Sequence, residues 1–217
     1  MSSTQLFLLT INGTQGQASL EQTRAIHNAT AGAPANIATA QSLGDLSHSV
    51  FVPVQDEKGE FFIMDVWNDM EGLNQFFSNP HVQEQAGQIF ATRDPVVWTP
   101  ANDIFHYSLL APAGKNERFL GVVRGTVSSK EQARKTMDAA TSNGLSKARK
   151  LGAISHQNFF RMGGESLEFL GVEVWYSLEG AFAYYGDPAF GEQFHGMYTA
   201  EPASWILQRP EGTWSEW

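Results

Sequence analysis

Six histidines are the scarce chemistry-bearing residues of this chain, and two of them recur in matching surroundings. His48 in Ser47-His48-Ser49-Val50-Phe51 and His156 in Ser155-His156-Gln157-Asn158-Phe159 are separated by 108 positions. Both runs read as strands, where branched and aromatic side chains are favoured, so a histidine in each needs a reason. Beside an acid such as Asp65 or Glu173, an imidazole can hold or pass a proton near neutral pH. The alternative is a structural histidine satisfied by a backbone carbonyl in both places. Arg124 ends another strand-like run and offers a fixed fork of donors to a carboxylate, enolate or phenolate, unless it pairs with Glu173 or another strand-end acid. Phe159, Phe160, Tyr184, Tyr185, Phe190, Phe194 and Tyr198 make the second half richly aromatic, which suits a cavity for a flat hydrophobic ligand as well as ordinary packing.

The elements that position these residues are written twice. Asp65-Val66-Trp67-Asn68-Asp69-Met70-Glu71-Gly72 returns as Glu173-Val174-Trp175-Tyr176-Ser177-Leu178-Glu179-Gly180, at the offset of the histidines. Phe51, Phe61, Pro80 and Glu84 meet Phe159, Phe169, Pro188 and Glu192 at the same spacing, and Asn12-Gly13-Thr14 aligns with Arg124-Gly125-Thr126. In the first half the pattern predicts a strand over 5–11, a helix from Ser19 to about Gly32, and a hairpin of 46–54 with 60–67 turning at Asp56-Glu57-Lys58-Gly59. A broken helix over 70–77 and 80–92 is stopped by Asp94-Pro95, and a closing strand starts at Val96. Residues 35–45 read as loop or frayed helix. The second half repeats this order with a strand from Phe119, a helix from Ser128 or Ser129 toward Lys150, a hairpin around Gly163-Gly164, helices over 178–185 and 188–199, and a last strand over 204–208. Ala111-Pro112-Ala113-Gly114-Lys115-Asn116 has linker composition, so the halves are taken as 1–110 and 111–217. Each reads β-α-β-β-α-β, a ferredoxin-like order, giving an α+β fold. A unit of about 100 residues leaves one sheet face uncovered, and two copies can bury those faces sheet to sheet.

A formal charge of −9 argues against a broad surface for nucleic acid or anionic membranes, the cluster Lys130, Arg134, Lys135, Lys147, Arg149 and Lys150 reading as solvated helix surface. The absence of cysteine excludes disulfides, thiolate metal sites and a cysteine nucleophile. Residues 1–9 lack the basic start of a signal peptide and no window has the roughly 20 apolar residues of a membrane span, so a cytoplasmic protein is expected. No glycine-rich phosphate loop, His-Glu-x-x-His or Gly-x-Ser-x-Gly turn is present.

Asp65, Trp67, Glu71-Gly72 and Ser78-Asn79-Pro80-His81-Val82, matched by Glu173, Trp175, Glu179-Gly180 and Gly186-Asp187-Pro188-Ala189-Phe190, resemble the dimeric α/β-barrel superfamily, particularly its antibiotic-biosynthesis monooxygenase domains. The resemblance implies an intramolecular version of that barrel, a pseudo-dimer in one chain that can pair again as a homodimer. It also implies a small aromatic or hydrophobic ligand held between sheet and helices. The activity implied is a monooxygenase without bound cofactor, acting on a phenolic, quinol or polyketide-like compound. His156 or His48 would then be the base and Arg124 or Asn12 the donor, with Trp67, Trp175, Phe159, Tyr184, Tyr185 and His195 contacting substrate. Haem-degrading relatives imply an alternative in which Asn12, Trp67 and His81 converge and His81 ligates iron. A third reading is a non-catalytic binding or scaffold protein with an aromatic-filled interior. The superfamily's frequent helix histidine is replaced by Phe76 or Phe77 and by Tyr184 or Tyr185, and Ala189 stands where the first half has His81.

Overall fold

The structure, a computed structural model, describes residues 5–55, 59–110 and 114–217. It divides into unit 1, Met1–Trp98 with Pro210–Trp217, and unit 2, Thr99–Arg209.

Unit 1 runs β1 (Phe7–Gln15), α1 (Leu20–Ala29), α2 (Pro34–Ser42), β2 (Asp45–Pro53), β3 (Glu60–Trp67), α3 (Met70–Ser78), α4 (Pro80–Ile89) and β4 (Phe90–Pro100). Its antiparallel sheet has the order β4-β1-β3-β2. Side chains alternate along each strand. Leu9 and Ile11 of β1, Val50 and Val52 of β2, and Phe61 and Ile63 of β3 form one core with Leu73, Ile89 and Trp67. Three of its four helix starts carry a side-chain cap: Ser19 accepts from Gln22 N–H, Asp69 from Glu71 N–H, and Asn79 from His81 N–H with Pro80 at the first helical position, while α2 follows the uncapped Ala33 and starts on Pro34. The C-terminal segment lies on this unit. Arg24 donates to Glu211 O, Asn28 to Thr213 O, and Val50 N–H to Glu216 Oε1, while Trp214 joins the core.

Unit 2 contains β5 (Tyr107–Ser108), β6 (Phe119–Thr126), α5 (Lys130–Leu151), β7 (Ala153–Arg161), β8 (Glu168–Trp175), α6 (Leu178–Tyr185), α7 (Pro188–Glu192) and β9 (Ala203–Gln208), with sheet order β9-β6-β8-β7-β5. One 22-residue helix, α5, stands where unit 1 has α1 and α2; Ser129 caps it by accepting from Gln132 N–H, and Gly152 ends it with φ of 107°. The register sets the rows that matter below. Gly121 and His156 flank Glu173, and Val123 and Asn158 flank Gly171, as Leu9 and His48 flank Asp65 in unit 1.

The structure differs from the sequence pattern at four points. Residues 34–42 are helical, α2 starting on Pro34. Helix α4 stops at Ile89, not near Thr92, because β4 begins at Phe90 and runs through Asp94-Pro95 paired with β1. Helix α7 ends at Glu192, and residues 193–202 form turns and a bridge between Val127 and Tyr198. The boundary is not at 110: Ala101 N–H bonds to Asn158 O and Leu109 N–H to Ile154 O, which ties residues 99–110 to unit 2, while Pro210–Trp217 returns to unit 1. Asp56-Glu57-Lys58 and Ala111-Pro112-Ala113 lie outside the described residues. No helix among the described residues is long and apolar enough to cross a membrane.

Candidate functional site

A cavity of about 790 Å³ lies within unit 2, between the sheet and helices α5 to α7. Gly121 and Gly171 of the sheet, Tyr107, and Tyr184, Tyr185 and Phe190 of the helical side line it. At its sheet side stands a hydrogen-bonded polar cluster. His156 Nδ1 lies 2.9 Å from Glu173 Oε1, Tyr185 donates its hydroxyl to Glu173 Oε2, and Trp175 Nε1–H donates to Tyr185 Oη over 2.9 Å. On the other edge of the imidazole, Nε2 faces the Asn158 amide at 2.9 Å and Thr141 Oγ1 at 3.4 Å. Tyr107 lies nearly parallel to the imidazole, 6.1 Å away and inclined by 20°. Burial and the Glu173 charge push Tyr184 up to about 12 and Tyr185 well above the usual phenol range. Burial, then Glu173 and Tyr184, also raise Tyr107, with Arg149 opposing. These hydroxyls therefore stay protonated donors at neutral pH.

Glycine makes the cluster possible at one point. A Cβ on Gly121 would lie 1.9 Å from Tyr185 Oη, so any side chain there drives Tyr185 off Glu173. At Gly144 of α5, a Cβ would lie 2.2 Å from Tyr184 Oη.

Unit 1 holds the same pair, and neither described cavity is lined by its residues. His48 Nδ1 is 2.7 Å from Asp65 Oδ1, and both side chains are about 6% exposed. Its Nε2 meets His27 Nε2 at 3.0 Å, and His27 Nδ1 is 3.1 Å from Asn28 Oδ1. Trp217 stacks on the His48 ring at 4.6 Å and 18°. Leu9 and Ile63 stand where unit 2 has Gly121 and Gly171, and Val50 where it has Asn158, so apolar side chains occupy the volume that is empty in unit 2. Phe77 takes the place of Tyr185, and the buried Trp67 Nε1–H has no acceptor among the described residues.

The unit 1 histidines divide the protons between them. Burial disfavours the His48 cation, but Asp65, then Asp45 and Glu216, outweigh it and hold His48 above the ordinary imidazole value. Burial and the His48 charge push His27 down to about 4, so His48 donates through both nitrogens and His27 accepts. Burial and Asp65 raise Asp45 to about 8, with His48 opposing. Since His27 titrates below its unfolded value of 6.5, the unfolded chain binds a proton between pH 6.5 and 4 that the folded chain does not. Its contribution to stability is thus lost on acidification, at about 1.4 kcal/mol per pH unit. His48, shifted the other way, loses its contribution only as pH rises through its folded value. Urea unfolding at pH 6.5 and pH 4 should show the stability gap between the native protein and His27→Gln narrowing by roughly 3 kcal/mol. Asp45 is common to both proteins and cancels; a gap that stays constant contradicts the assignment.

No protein-family sequence model matches the chain, and a search of curated proteins found no match. Solved structures do match over nearly its whole length. An anthrone oxidase-like protein superposes with a TM-score of 0.67 at 15% identity, covering 97% of this chain and 93% of its own. A ferredoxin-fold protein from Listeria monocytogenes related to antibiotic biosynthesis monooxygenases gives 0.51 at 12% identity, covering 97% of both chains. Chlorite dismutase from Candidatus Nitrospira defluvii gives 0.55 at 8% identity, covering 95% of this chain and 92% of its own. The chain has the dimeric α/β-barrel fold. At these identities the likeness concerns the fold alone.

Within that fold the residues singled out from sequence separate. His156, Tyr184, Tyr185 and His195 line the cavity, His195 from an exposed position, and Trp175 joins the cluster through its N–H. Arg124 does not line it: strand alternation points it to the other sheet face, where Nε donates to Glu168 Oε2 over 2.7 Å, with Arg161 on the other carboxylate oxygen. Phe159 is likewise a buried residue of the face opposite His156. Asn12 pairs across β1 with Phe62 and Asp94, and Trp67 is core against Phe76 and Phe77; neither lines a described cavity. His48 is buried in the filled unit. His81, the alternative haem ligand, has a side chain 65% exposed on α4, Nε2 accepting from Gln85 and Nδ1 3.9 Å from Glu84. It lines neither described cavity, so it offers iron no nitrogen inside one. Asn158, Thr141, Tyr107 and His27 were not recognised from sequence. The signal for Asn158 and the two glycines was present: they face Val50, Leu9 and Ile63 in the aligned halves.

Proposed function

We propose that unit 2 is a small-molecule oxygenase of the antibiotic-biosynthesis monooxygenase type, working without bound cofactor on an uncharged phenolic, quinol or polyketide-like ring. The observation that carries this reading is the aromatic-walled cavity with the His156–Glu173–Tyr185 cluster at its sheet side. The anthrone oxidase-like neighbour supports it in kind. An electron-rich ring needs only to lose a proton to become reactive toward oxygen. Once the ring displaces the Asn158 N–H that meets its lone pair, His156 Nε2 takes that proton, and the imidazolium that forms keeps Nδ1–H on the Glu173 carboxylate. Thr141, Tyr107 and Tyr184 supply hydroxyl donors for the anion, in place of Arg124 and Asn12. For a ring methylene the balance is closed by oxygen itself: one atom becomes the new carbonyl oxygen, and the other leaves as water with both methylene hydrogens; for a quinol, O2 takes both electrons and both protons and leaves as hydrogen peroxide.

Oxygen uptake with a panel of quinols and anthrones is the test, one O2 being consumed per quinone formed with no added metal, flavin or haem. Turnover that starts only when one of these is supplied ends the cofactor-free reading. Failure of every panel member to bind by calorimetry ends the oxygenase reading.

The cavity also sets the charge of what enters. Its charged lining residues are Glu173, Glu192 and Glu201. A carboxylated ring is therefore expected to bind at least tenfold more weakly than its uncharged parent, about 1.4 kcal/mol, in side-by-side titrations. Equal affinities would show that the acids do not act on the ligand.

A further inference from the structure

Units 1 and 2 carry the same strand histidine on the same strand acid, yet the partner met by Nε2 differs in kind. In unit 1 it is an acceptor: His27 is neutral, its Nδ1–H is directed at Asn28, and His48 carries the proton between the two Nε2 atoms. In unit 2 it is a donor. Asn158 is 3% exposed, and its Nδ2 lies 3.3 Å from Phe105 O and 2.9 Å from His156 Nε2. A carbonyl oxygen can only accept, so Phe105 O fixes the amide with nitrogen on this side; turned over, Oδ1 would face that carbonyl. The second N–H then points at Nε2, which must present its lone pair. The amide keeps this orientation although Oδ1 has no partner among the described residues.

We propose that Asn158 is a positioning residue that holds His156 neutral, as the tautomer with hydrogen on Nδ1 and the lone pair on Nε2. The inference rests on the preceding reading for its use, since this is the form in which His156 accepts a substrate proton. The residue at one strand position, Asn158 against Val50, together with what lies beyond Nε2, decides which copy holds a base and which a buried cation. The groups facing His156 are Glu173 from β8, Tyr107 from β5, Tyr184 and Tyr185 from α6 and Thr141 from α5, with Arg149 acting on Tyr107. Only Glu173 among them is charged near neutrality and close to the ring, and it favours hydrogen on Nδ1 in either protonation state. It therefore selects against the Nε2–H tautomer but cannot by itself select against imidazolium, which carries hydrogen on both nitrogens. Asn158 can.

The experiment is long-range 1H–15N correlation of protein labelled with 15N-histidine, followed from pH 6 to 8, with His156 assigned through His156→Gln. The native protein should show the Nδ1–H tautomer alone at pH 7.5. Asn158→Val, which installs the residue found at the matching strand position of unit 1, should add imidazolium and move the His156 midpoint up by about one pH unit, a tenfold change in proton affinity. Asn158→Asp puts an acceptor opposite Nε2 and should hold His156 as imidazolium throughout, so the test survives a Val variant that does not fold. An Nε2–H tautomer or imidazolium in the native protein at pH 7.5 overturns the proposal. So does a folded Asn158 variant whose His156 spectrum matches the native one. The readout uses no substrate: absence of oxygenase turnover leaves it standing, and its failure leaves the oxygenase reading standing.

Discussion

Gly121→Leu is expected to abolish aromatic ligand binding and turnover in unit 2, by at least 100-fold, while the fold survives. Leucine is the residue unit 1 carries at the matching position, Leu9, where it is buried against the helices. In unit 2 the space is taken by the Tyr185 hydroxyl, 1.9 Å from where the first side-chain carbon would sit. Displacing Tyr185 breaks its bonds to Glu173 and Trp175 together and pushes leucine into the ligand volume. Overpacking of this kind costs about 1–3 kcal/mol, less than the 5–15 kcal/mol that typically separates folded from unfolded chains. Calorimetric titration with an uncharged fused-ring phenol, beside thermal unfolding, separates the two effects. Binding within threefold of native would mean that the ligand does not lie over β6.

His156→Gln is expected to lower kcat roughly 100- to 10,000-fold with little change in KM, the usual loss when a positioned proton acceptor is removed. The matching change in unit 1 should act elsewhere. His48 is a buried cation paired with Asp65, contacting His27 and stacked on Trp217, so His48→Gln leaves a carboxylate buried without its partner. A loss of roughly 3–5 kcal/mol of stability follows, with kcat near native wherever the protein stays folded. Steady-state oxygen uptake and urea unfolding on both variants would show the crossing pattern; a kcat defect confined to His48→Gln would move the reaction to unit 1.

Much of the architecture was legible in the chain because each unit obeys local rules. The Trp67 and Trp175 strands, the capped helices starting after Asp69 and Ser177, and the prolines at 80 and 188 each announce an element through spacing and type. Where context outweighed local preference, the reading slipped. Pro95 looked like a stop, yet β4 pairs with β1 on both sides of it, and the apolar run expected to extend α7 to Thr199 forms turns over the cavity instead.

The site was legible by half. A histidine in a strand, repeated, drew notice to His48 and His156, and the acids Asp65 and Glu173 were in view because strand position fixes them. Arg124 misled, since charge alone does not say which face of a strand a residue occupies, and a shift of one position sends it to Glu168 and away from the cavity.

What the sequence determined by itself is the pair of βαββαβ units and the two histidine–acid pairs, because periodicity and strand register are properties of neighbouring residues. Only the tertiary structure decided which pair faces empty space. That depends on side chains distant in sequence meeting at one point: Tyr185 over Gly121 and Asn158 between Phe105 and His156 in unit 2, against Leu9, Ile63 and Trp217 filling unit 1. Volume and proton position are set by such meetings, and no spacing in the chain encodes them.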